Sequence, residues 1–371
     1  NELLDTLADM TGISPEQLYQ QWIEQHPLQA FSTQYFNHSS FRSSRSDYAA
    51  ALNQPLTNRA PFYSEPLQTL ETTPIIQQHT FLRFWRNPVK NWLQQTLNWQ
   101  APYSDEAWDA AEPFTPVRDS DTAAAYLEAR RHNENFNTTA ERLHAQSMLP
   151  TGELGRLWRE NYETAAKSLD DTLLKSPKYQ ALPYQLPIGN HILQGSLEHL
   201  HQHGQIRFAT QDPNAPEEIS LLLEHLIFNA VRPEGMSHYH THRLQAGNSQ
   251  TLPEIPQSQA IELLANWLTY YQIGQNQPLP FFPRTSLAAA QALQNTDNKT
   301  PPQERAEKAA FLAYNGSKMS KGQRDYPEVE LVFGQTETTP IDTPLFWNMV
   351  HTMLAPCLHT LATATPPETQ P

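Results

Sequence analysis

The order of strand and helix patterns between residues 180 and 271 restricts the possible fold of this chain more than any other feature of the sequence. Residues 191–197 and 205–210 have the character of two short strands, joined by a turn near His203 and Gly204. A helical pattern follows over residues 216–231, where apolar residues recur at i, i+3, i+4, i+7, i+8 and i+11. A second helix is predicted over residues 258–271. Strands set between helices predict a mixed α/β (α+β) protein in which helices dominate.

Helical patterns also fill much of the rest of the chain. Residues 1–25 predict two short helices, the second beginning after Ser14 as the N-cap with Pro15 at the first helical position. The 31 prolines against 12 glycines favour helices joined by stiff loops over an all-β sandwich. Further helices are predicted over residues 119–146, 151–175, 302–314 and 341–363, and short strands over 237–244 and 328–334.

Residues 79–99 combine aromatic and basic side chains in a helical pattern. Pro88 is expected to separate or kink two helices. Basic side chains interleaved with aromatic ones can hold a nucleic-acid strand. Arg83, Trp85, Arg86 and Lys90 are therefore candidates for contact with DNA or a protein partner. The alternative is an ordinary amphipathic helix pair that packs in the core.

Charge and composition exclude several classes of function. The net charge of −14 argues against uniform coating of nucleic acid, although a local basic groove stays open. The single cysteine, Cys357, excludes a disulfide scaffold and favours a reducing compartment, so we expect a cytoplasmic protein. No apolar stretch is long enough to predict a membrane span, and no P-loop motif predicts ATP binding.

Histidines alternate in two places. One set is His199, His201 and His203, and the other is His238, His240 and His242. Alternation along a strand would place each set on one face, where zinc or nickel could bind. Incidental surface histidines are the preferred interpretation, and no metal ligand is assigned.

The strand pair has the layout of a nuclease site without its ligands. Many DNA nucleases carry an acid at the end of one strand and an Asp/Glu-x-Lys motif on the next, so that two carboxylates hold Mg²⁺. Glu198 could supply the first acid. The next strand, residues 205–210, contains no Asp, Glu or Lys. Glu198 is therefore a candidate relic, and no catalytic residue is predicted.

Several segments, taken in order, resemble the C-terminal region of the RecC family, the gamma subunits of exodeoxyribonuclease V. They lie within residues 26–350, although Ala30 stands where the family more often has proline. The matching segments are His26–Phe36, Leu82–Leu93, Asp105–Phe114, the strand pair near Gly195, and Leu221–Leu226.

This resemblance implies an inactivated PD-(D/E)XK nuclease-like core with helical additions. It implies a chain that is itself non-catalytic but belongs to a helicase and exonuclease complex acting in DNA double-strand break repair and recombination. The implied partners are RecB-like and RecD-like helicase subunits and DNA, both double-strand ends and single strands. Mg²⁺ and ATP would be used by those subunits, with no cofactor in this chain.

The expected organisation has three parts. Residues 1–28 form a helical hairpin that ends a preceding domain or linker, residues 29–350 form the RecC C-terminal nuclease-like domain, and residues 351–371 hold the end of a terminal helix and a disordered tail. Two other functions remain open. One is an active Mg²⁺-dependent nuclease that uses Glu198 and a second acid such as Glu224, and the other is an adaptor that never contacts DNA.

Overall fold

The computed structural model forms two compact units, Asn1–Ala60 and Pro61–Pro371. The residues it describes are 2–37, 43–52, 62–63, 65–67, 74–100, 119–168, 176–209, 212–245, 249–295, 300–317, 320–334, 336 and 338–363. The segment Asp105–Phe114, one of those that resemble RecC, lies outside these residues. No helix in the described ranges has both the length and the apolar character needed to cross a bilayer.

The first unit is built from short helices. They are α1 (Glu2–Thr11), α2 (Pro15–Trp22), α3 (Gln34–Asn37) and α4 (Ser46–Leu52). Ser14 caps α2 as predicted, because its hydroxyl accepts a hydrogen bond from the backbone N–H of Gln17 at 3.3 Å. The structure therefore confirms the two short helices predicted at the start of the chain.

The second unit contains helices and short strands, and helices dominate it. Its helices are α5 (Gln78–Arg86), α6 (Pro88–Leu97), α7 (Asp119–Arg131), α8 (Phe136–Ala145), α9 (Gly152–Lys167), α10 (Ala215–Val231), α11 (Gln257–Asn276), α12 (Pro283–Gln294), α13 (Pro302–Asn315), α14 (Pro327–Phe333), α15 (Pro344–Met349) and α16 (Ala355–Thr363). Its strands are β1 (Ile75–Gln77), β2 (Leu182–Ile188), β3 (His191–Leu197), β4 (Leu200–His201), β5 (Gly204–Ala209), β6 (Thr241–Gln245), β7 (Gln250–Leu252), β8 (Gly316–Ser317) and β9 (Ser320–Lys321).

The strands from β1 to β7 form two small mixed sheets. One has the order β1-β3-β2, with β1 parallel and β2 antiparallel to β3. The other has the order β4-β5-β6-β7, in which β5 and β6 run parallel. Parallel neighbours need a crossover connection, and α10 supplies it between β5 and β6. The mixed, helix-rich class predicted from the sequence agrees with this arrangement.

The predicted pairing of the two central strands is only partly correct. The turn lies where the sequence placed it, but only Leu200 and His201 of β4 pair across it with β5. The first of the two predicted strands is β3, and it pairs with β2 along its whole length instead of with β5. The chain bends between β3 and β4 at His199, whose φ is 59°, and this bend moves the chain from one sheet to the other.

Helix α5 packs closely against β3 at one glycine. A Cβ atom on Gly195 would lie 2.5 Å from the Cβ of Gln78, which leaves no room for a side chain there. The Gln78 side-chain oxygen accepts a hydrogen bond from the Ser196 N–H at 3.1 Å. This contact fixes the start of α5 beside the end of β3, near Glu198.

Pro88 separates α5 from α6, as predicted. The side chain of Asn87 caps α6 by accepting a hydrogen bond from the Lys90 N–H at 3.0 Å. Its amide nitrogen also donates to Glu328 at 2.6 Å, which ties this junction to α14. The break therefore lets two aromatic-rich helices turn separate apolar faces into one core.

Near the C-terminus one prediction was wrong, and the helix predicted over residues 341–363 is confirmed from Pro344 to Thr363 with one irregular turn. Residues 328–334 form helix α14 rather than a strand, because Pro327 starts a helix and Val329 and Val332 are buried at helical spacing. The predicted helix over residues 341–363 is interrupted by a π-helical turn, Val350–Leu354. Pro356 explains this turn, since proline has no N–H to continue the regular ladder.

Candidate nucleic-acid interface

An open cleft of about 870 Å³ lies where α5, α10 and the sheet containing β5 and β6 meet. Four arginines line it and define what we call the arginine cleft: Arg83, Arg86, Arg207 and Arg243. They come from three elements, since the first two lie on α5 and the others on β5 and β6. Glu217 and Glu224 of α10 also line it, so the lining carries a net positive charge within a chain whose net charge is −14.

Arg83 and Arg86 reach the cleft because α5 is strongly amphipathic. Its apolar side, which includes Phe81 and Phe84, is buried in the core, whereas both arginines are exposed on the other side. Neither arginine forms an ion pair with a carboxylate among the described residues. Two of the sequence-predicted contact residues are therefore brought together in one concave, positively charged surface.

Trp85 is placed in the core rather than in the cleft. Its side chain is completely buried, and its ring packs edge-to-face on Trp267 at 4.8 Å and on Phe281 at 5.1 Å between ring centroids. Such a ring presents no face on which a base could stack. The geometry corrects the expectation for Trp85 and supports the alternative of core packing.

Lys90 lies on α6, outside the lining of the arginine cleft. It is half-buried and is not among the residues that line the cleft with Arg83 and Arg86. The predicted basic group is therefore divided by the Pro88 break into two places on the molecule.

Glu198 and Glu224 line a second, smaller cavity of about 270 Å³ beside the cleft. Gln205 and Arg207 of β5 line the same cavity. Arg207 forms an ion pair with Glu224. The Gln205 amide donates a hydrogen bond to the Glu198 carbonyl oxygen at 2.9 Å. The two acids named for a nuclease thus lie near each other, but an arginine is paired with one of them.

The surroundings of these two acids differ. The Glu198 side chain is 66% exposed, whereas the Glu224 side chain is 13% exposed. Burial raises the pKa of Glu224 above its usual range, and the Arg207 cation offsets part of this rise. Burial also raises the pKa of Tyr184, helped by the negative charge of Glu224. Glu224 is therefore held by a fixed cation in a poorly hydrated site.

Arg243 has a different environment from the arginines of α5. It is buried, and this burial lowers its pKa, while Asp212, Glu217 and Glu218 act in the opposite direction. The positive charge of Arg243 is therefore balanced by acids near the start of α10. The net positive side of the cleft is the side formed by α5 and β5.

The two histidine sets do not assemble into a metal site. His242 contacts the Thr251 hydroxyl at 2.9 Å, and the His240 ring accepts a hydrogen bond from the Glu254 N–H at 3.2 Å. His201 contacts the Ser176 carbonyl at 3.0 Å. Across the ranges described above, no group of three or more His, Cys, Asp or Glu residues is arranged to hold a metal ion.

Sequence reasoning did not identify Arg207 and Arg243 as site residues. Arg207 follows Ile206 and Arg243 follows His242, each within a short strand, and no local motif marks either one. Their register supplies the missing information, because Arg207 pairs directly with Arg243 across the parallel strands β5 and β6. A prediction that β5 and β6 are parallel neighbours would have found them.

The comparisons with known proteins match the region that contains this cleft. The family model of the RecC C-terminal domain matches residues 74–294. The chain is 21% identical to "RecBCD enzyme subunit RecC" of Escherichia coli (strain K12) over 309 residues, which cover 81% of this chain and 27% of that protein. It is 23% identical to the protein of the same name from Buchnera aphidicola subsp. Schizaphis graminum (strain Sg) over 192 residues, covering 50% and 18%.

The chain spans about a quarter of the length of the first relative and less of the second. The family model covers more than half of the chain. Its range runs from β1 to the end of α12 and includes both mixed sheets and the arginine cleft. The chain therefore belongs to the RecC C-terminal domain family.

Proposed function

We propose that this chain is the non-catalytic C-terminal region of a RecC-type subunit in an exodeoxyribonuclease V complex. There it docks RecB-like and RecD-like subunits and guides the split DNA strands during double-strand break repair and recombination. Family membership supports the assembly. The pairing of Arg207 with Glu224, in a cavity shared with Glu198, is the observation that supports a site that guides DNA without cutting it.

The residues on β5 support an inactivated nuclease-like core. A nuclease of this layout needs an acid, any residue and a lysine on the strand next to the first acid. Here Glu198 follows β3, and β5 carries Gln205, Ile206 and Arg207 in that order. Gln205 is a neutral residue with the shape of glutamate, and its buried amide is engaged with the Glu198 backbone. It cannot supply the second negative charge that Mg²⁺ needs.

The basic residues fit two separate contacts. Arg83 and Arg86 are the proposed strand contacts, because both line the positively charged side of the cleft. Lys90, on α6 and outside the cleft, is the proposed contact with a partner subunit. This division follows from the break at Pro88, which turns α6 away as a separate helix.

Docking is tested by mixing the chain with its cognate RecB-like and RecD-like subunits. Size-exclusion chromatography with light scattering should show a co-eluting complex whose mass equals the sum of the chains. Lys90→Glu should weaken this complex, whereas Arg83→Gln should leave it intact. Separate elution of the three chains contradicts the docking role.

The absence of catalysis is tested in the same complex. Glu198→Ala and Glu224→Gln should leave Mg²⁺-dependent DNA cleavage unchanged, because the partner subunits supply the chemistry. Glu153→Gln, an exposed glutamate on α9, serves as the matched control. Loss of cleavage in either cavity variant, with the complex still assembled, would favour the active nuclease that uses Glu198 and Glu224.

A further inference from the structure

The arginine cleft has a chemistry that indicates a particular class of ligand. Arg83 and Arg86 are exposed and have no ion-pair partner among the described residues, so their charges are available to a ligand. Arg207 lies deeper, with its side chain 30% exposed. Its Nη2 forms the ion pair with Glu224 and its Nε is buried, so a ligand can meet only the part of the side chain that remains exposed.

The lining lacks the side chains that recognise bases by stacking. Apart from the imidazoles of His79 and His199, the described residues that line the cleft include no aromatic ring. Phe84 and Trp85, the aromatic residues between the two arginines of α5, are both completely buried in the core. Arginine guanidinium groups are well suited to phosphate, because their fork of N–H donors matches its oxygens. The cleft therefore matches phosphate groups, and no Phe, Tyr or Trp ring among its described lining residues offers a stacking platform for bases.

We propose that the arginine cleft binds the phosphodiester backbone of a nucleic-acid strand through Arg83, Arg86 and Arg207, without base stacking and without sequence preference. This inference rests on the proposed function, because it takes the cleft to hold a strand without cutting it. Arg207 stays paired with Glu224 and adds its positive charge from deeper in the cleft. The strand runs along the side of α5 and β5, away from the acids that surround Arg243.

The test measures binding of the full chain to a fluorescein-labelled oligo(dT) by fluorescence anisotropy, between about 50 and 200 mM salt. Three phosphate contacts on a single strand should give a slope of log K against log salt of about −2. The double variant Arg83→Gln with Arg86→Gln should bind about tenfold or more weakly, with a slope of about −0.7. Lys308→Gln, which changes an exposed lysine of α13 outside the cleft lining, is the matched control, and it should change neither the affinity nor the slope.

Three further probes check the class of ligand. An abasic oligomer of equal length should bind within about twofold of oligo(dT), since phosphates carry the affinity. Tighter binding of oligo(dT) than of a duplex of equal length assigns the cleft to single strands, and the reverse order assigns it to the duplex end. A poly-glutamate peptide at matched charge should compete more weakly than unlabelled oligo(dT), although its carboxylates also pair with arginine. Loss of binding with the abasic oligomer, or competition by the peptide as strong as by oligo(dT), overturns the proposal.

The outcomes separate this inference from the proposed function. Arg86→Lys keeps the charge and should retain most of the salt slope, whereas a residue that only supports the fold would not be rescued in this way. Far-UV circular dichroism checks that each variant is folded. A folded chain that enters the complex but binds no strand overturns the inference alone. A bound strand that is cut when Mg²⁺ or Mn²⁺ is added overturns the proposed function but leaves the binding site in place.

Discussion

At the scale of single residues, Trp85 fits two sequence patterns. One predicts a contact with nucleic acid and the other a place in the core, and the structure shows the core position. Its neighbours Phe84, Trp267 and Phe281 surround the ring in edge-to-face contacts. The basic residues on either side face outward from the same helix turn. One face of helix α5 therefore packs its aromatic rings in the core, and the opposite face presents its positive charges to the cleft.

This division predicts the effect of removing the ring. Trp85→Ala should lower the free energy of unfolding by about 3–5 kcal/mol, because it leaves a large cavity in the core. Trp85→Phe keeps part of the packing and should cost less, while leaving strand binding unchanged. Urea unfolding measures the stability, and oligo(dT) anisotropy measures the binding. A Trp85→Phe protein of near-normal stability that no longer binds the strand would contradict the core role.

At the scale of elements, a buried histidine fastens α10 to the sheet beside it. His225 contacts the Thr241 hydroxyl of β6 at 2.8 Å through Nδ1 and the Pro253 carbonyl at 2.9 Å through Nε2. The carbonyl can only accept, so Nε2 carries the proton and Nδ1 accepts from the hydroxyl. Burial lowers the pKa of His225 to about 3, so the ring stays neutral in the folded chain.

This neutral histidine makes stability depend on pH. In the unfolded chain His225 is protonated below about pH 6.5, whereas in the folded chain it stays neutral until about pH 3. The contribution of His225 to the free energy of unfolding is therefore complete above pH 6.5 and decreases as the pH falls below that value. His225 should account for a loss of up to about 2 kcal/mol between pH 7 and pH 5. His199, His201 and His240 act in the same direction, because burial lowers their pKa as well.

Urea unfolding at the two pH values checks this prediction. His225→Gln should be less stable than the natural protein at pH 7 but should lose less stability on acidification. An equal loss in both proteins would show that His225 is not the source of the pH dependence.

The elements also show what the sequence can and cannot predict. The helices α10 and α13 were predicted within about a residue at each end, because their apolar period is continuous and a proline lies in the first turn of each. The pairing of the strands was not predicted. Strand β3 pairs with β1, which lies more than a hundred residues earlier, and no local sequence pattern indicates that partner. The strand prediction for residues 328–334 was wrong because a short apolar run fits both the strand and the helix period.

The same limit applies to the site. Arg83 and Arg86 were predicted because they share one helix with a clear pattern. Arg207 came to the same place through the register of β5 on β6, which depends on the whole crossover through α10. The alternation of histidines suggested a strand over residues 237–244, but the strand begins only at Thr241. Contacts made over short distances along the chain were predictable, and those made by the sheet were not.

At the scale of the whole molecule, the apolar cores of the described residues belong to the second unit. The larger core runs from Ile76 to Cys357, and a smaller one gathers Tyr126, Leu143 and their neighbours from α7, α8 and α9. Neither includes a residue from Asn1–Ala60. The burial that stabilises a fold is thus concentrated in residues 61–371.

We therefore expect residues 61–371 to fold without the first sixty. A protein shortened to this range should melt in a cooperative transition within a few degrees of the main transition of the full chain, as followed by circular dichroism. It should also retain the oligo(dT) affinity of the full chain, because the arginine cleft lies within it. A broad, non-cooperative transition would show that the first unit is required for the core.

The Arg207 guanidinium beside Glu224 makes the local charge of this cavity independent of the supply of metal ions. A metal ion in such a cavity has a dissociation constant, so its occupancy follows the supply of free ion. Arg207 is joined to β5 by covalent bonds, so its positive charge is part of every copy of the protein. A strand that enters the cleft therefore meets the same local charge whether magnesium is abundant or scarce.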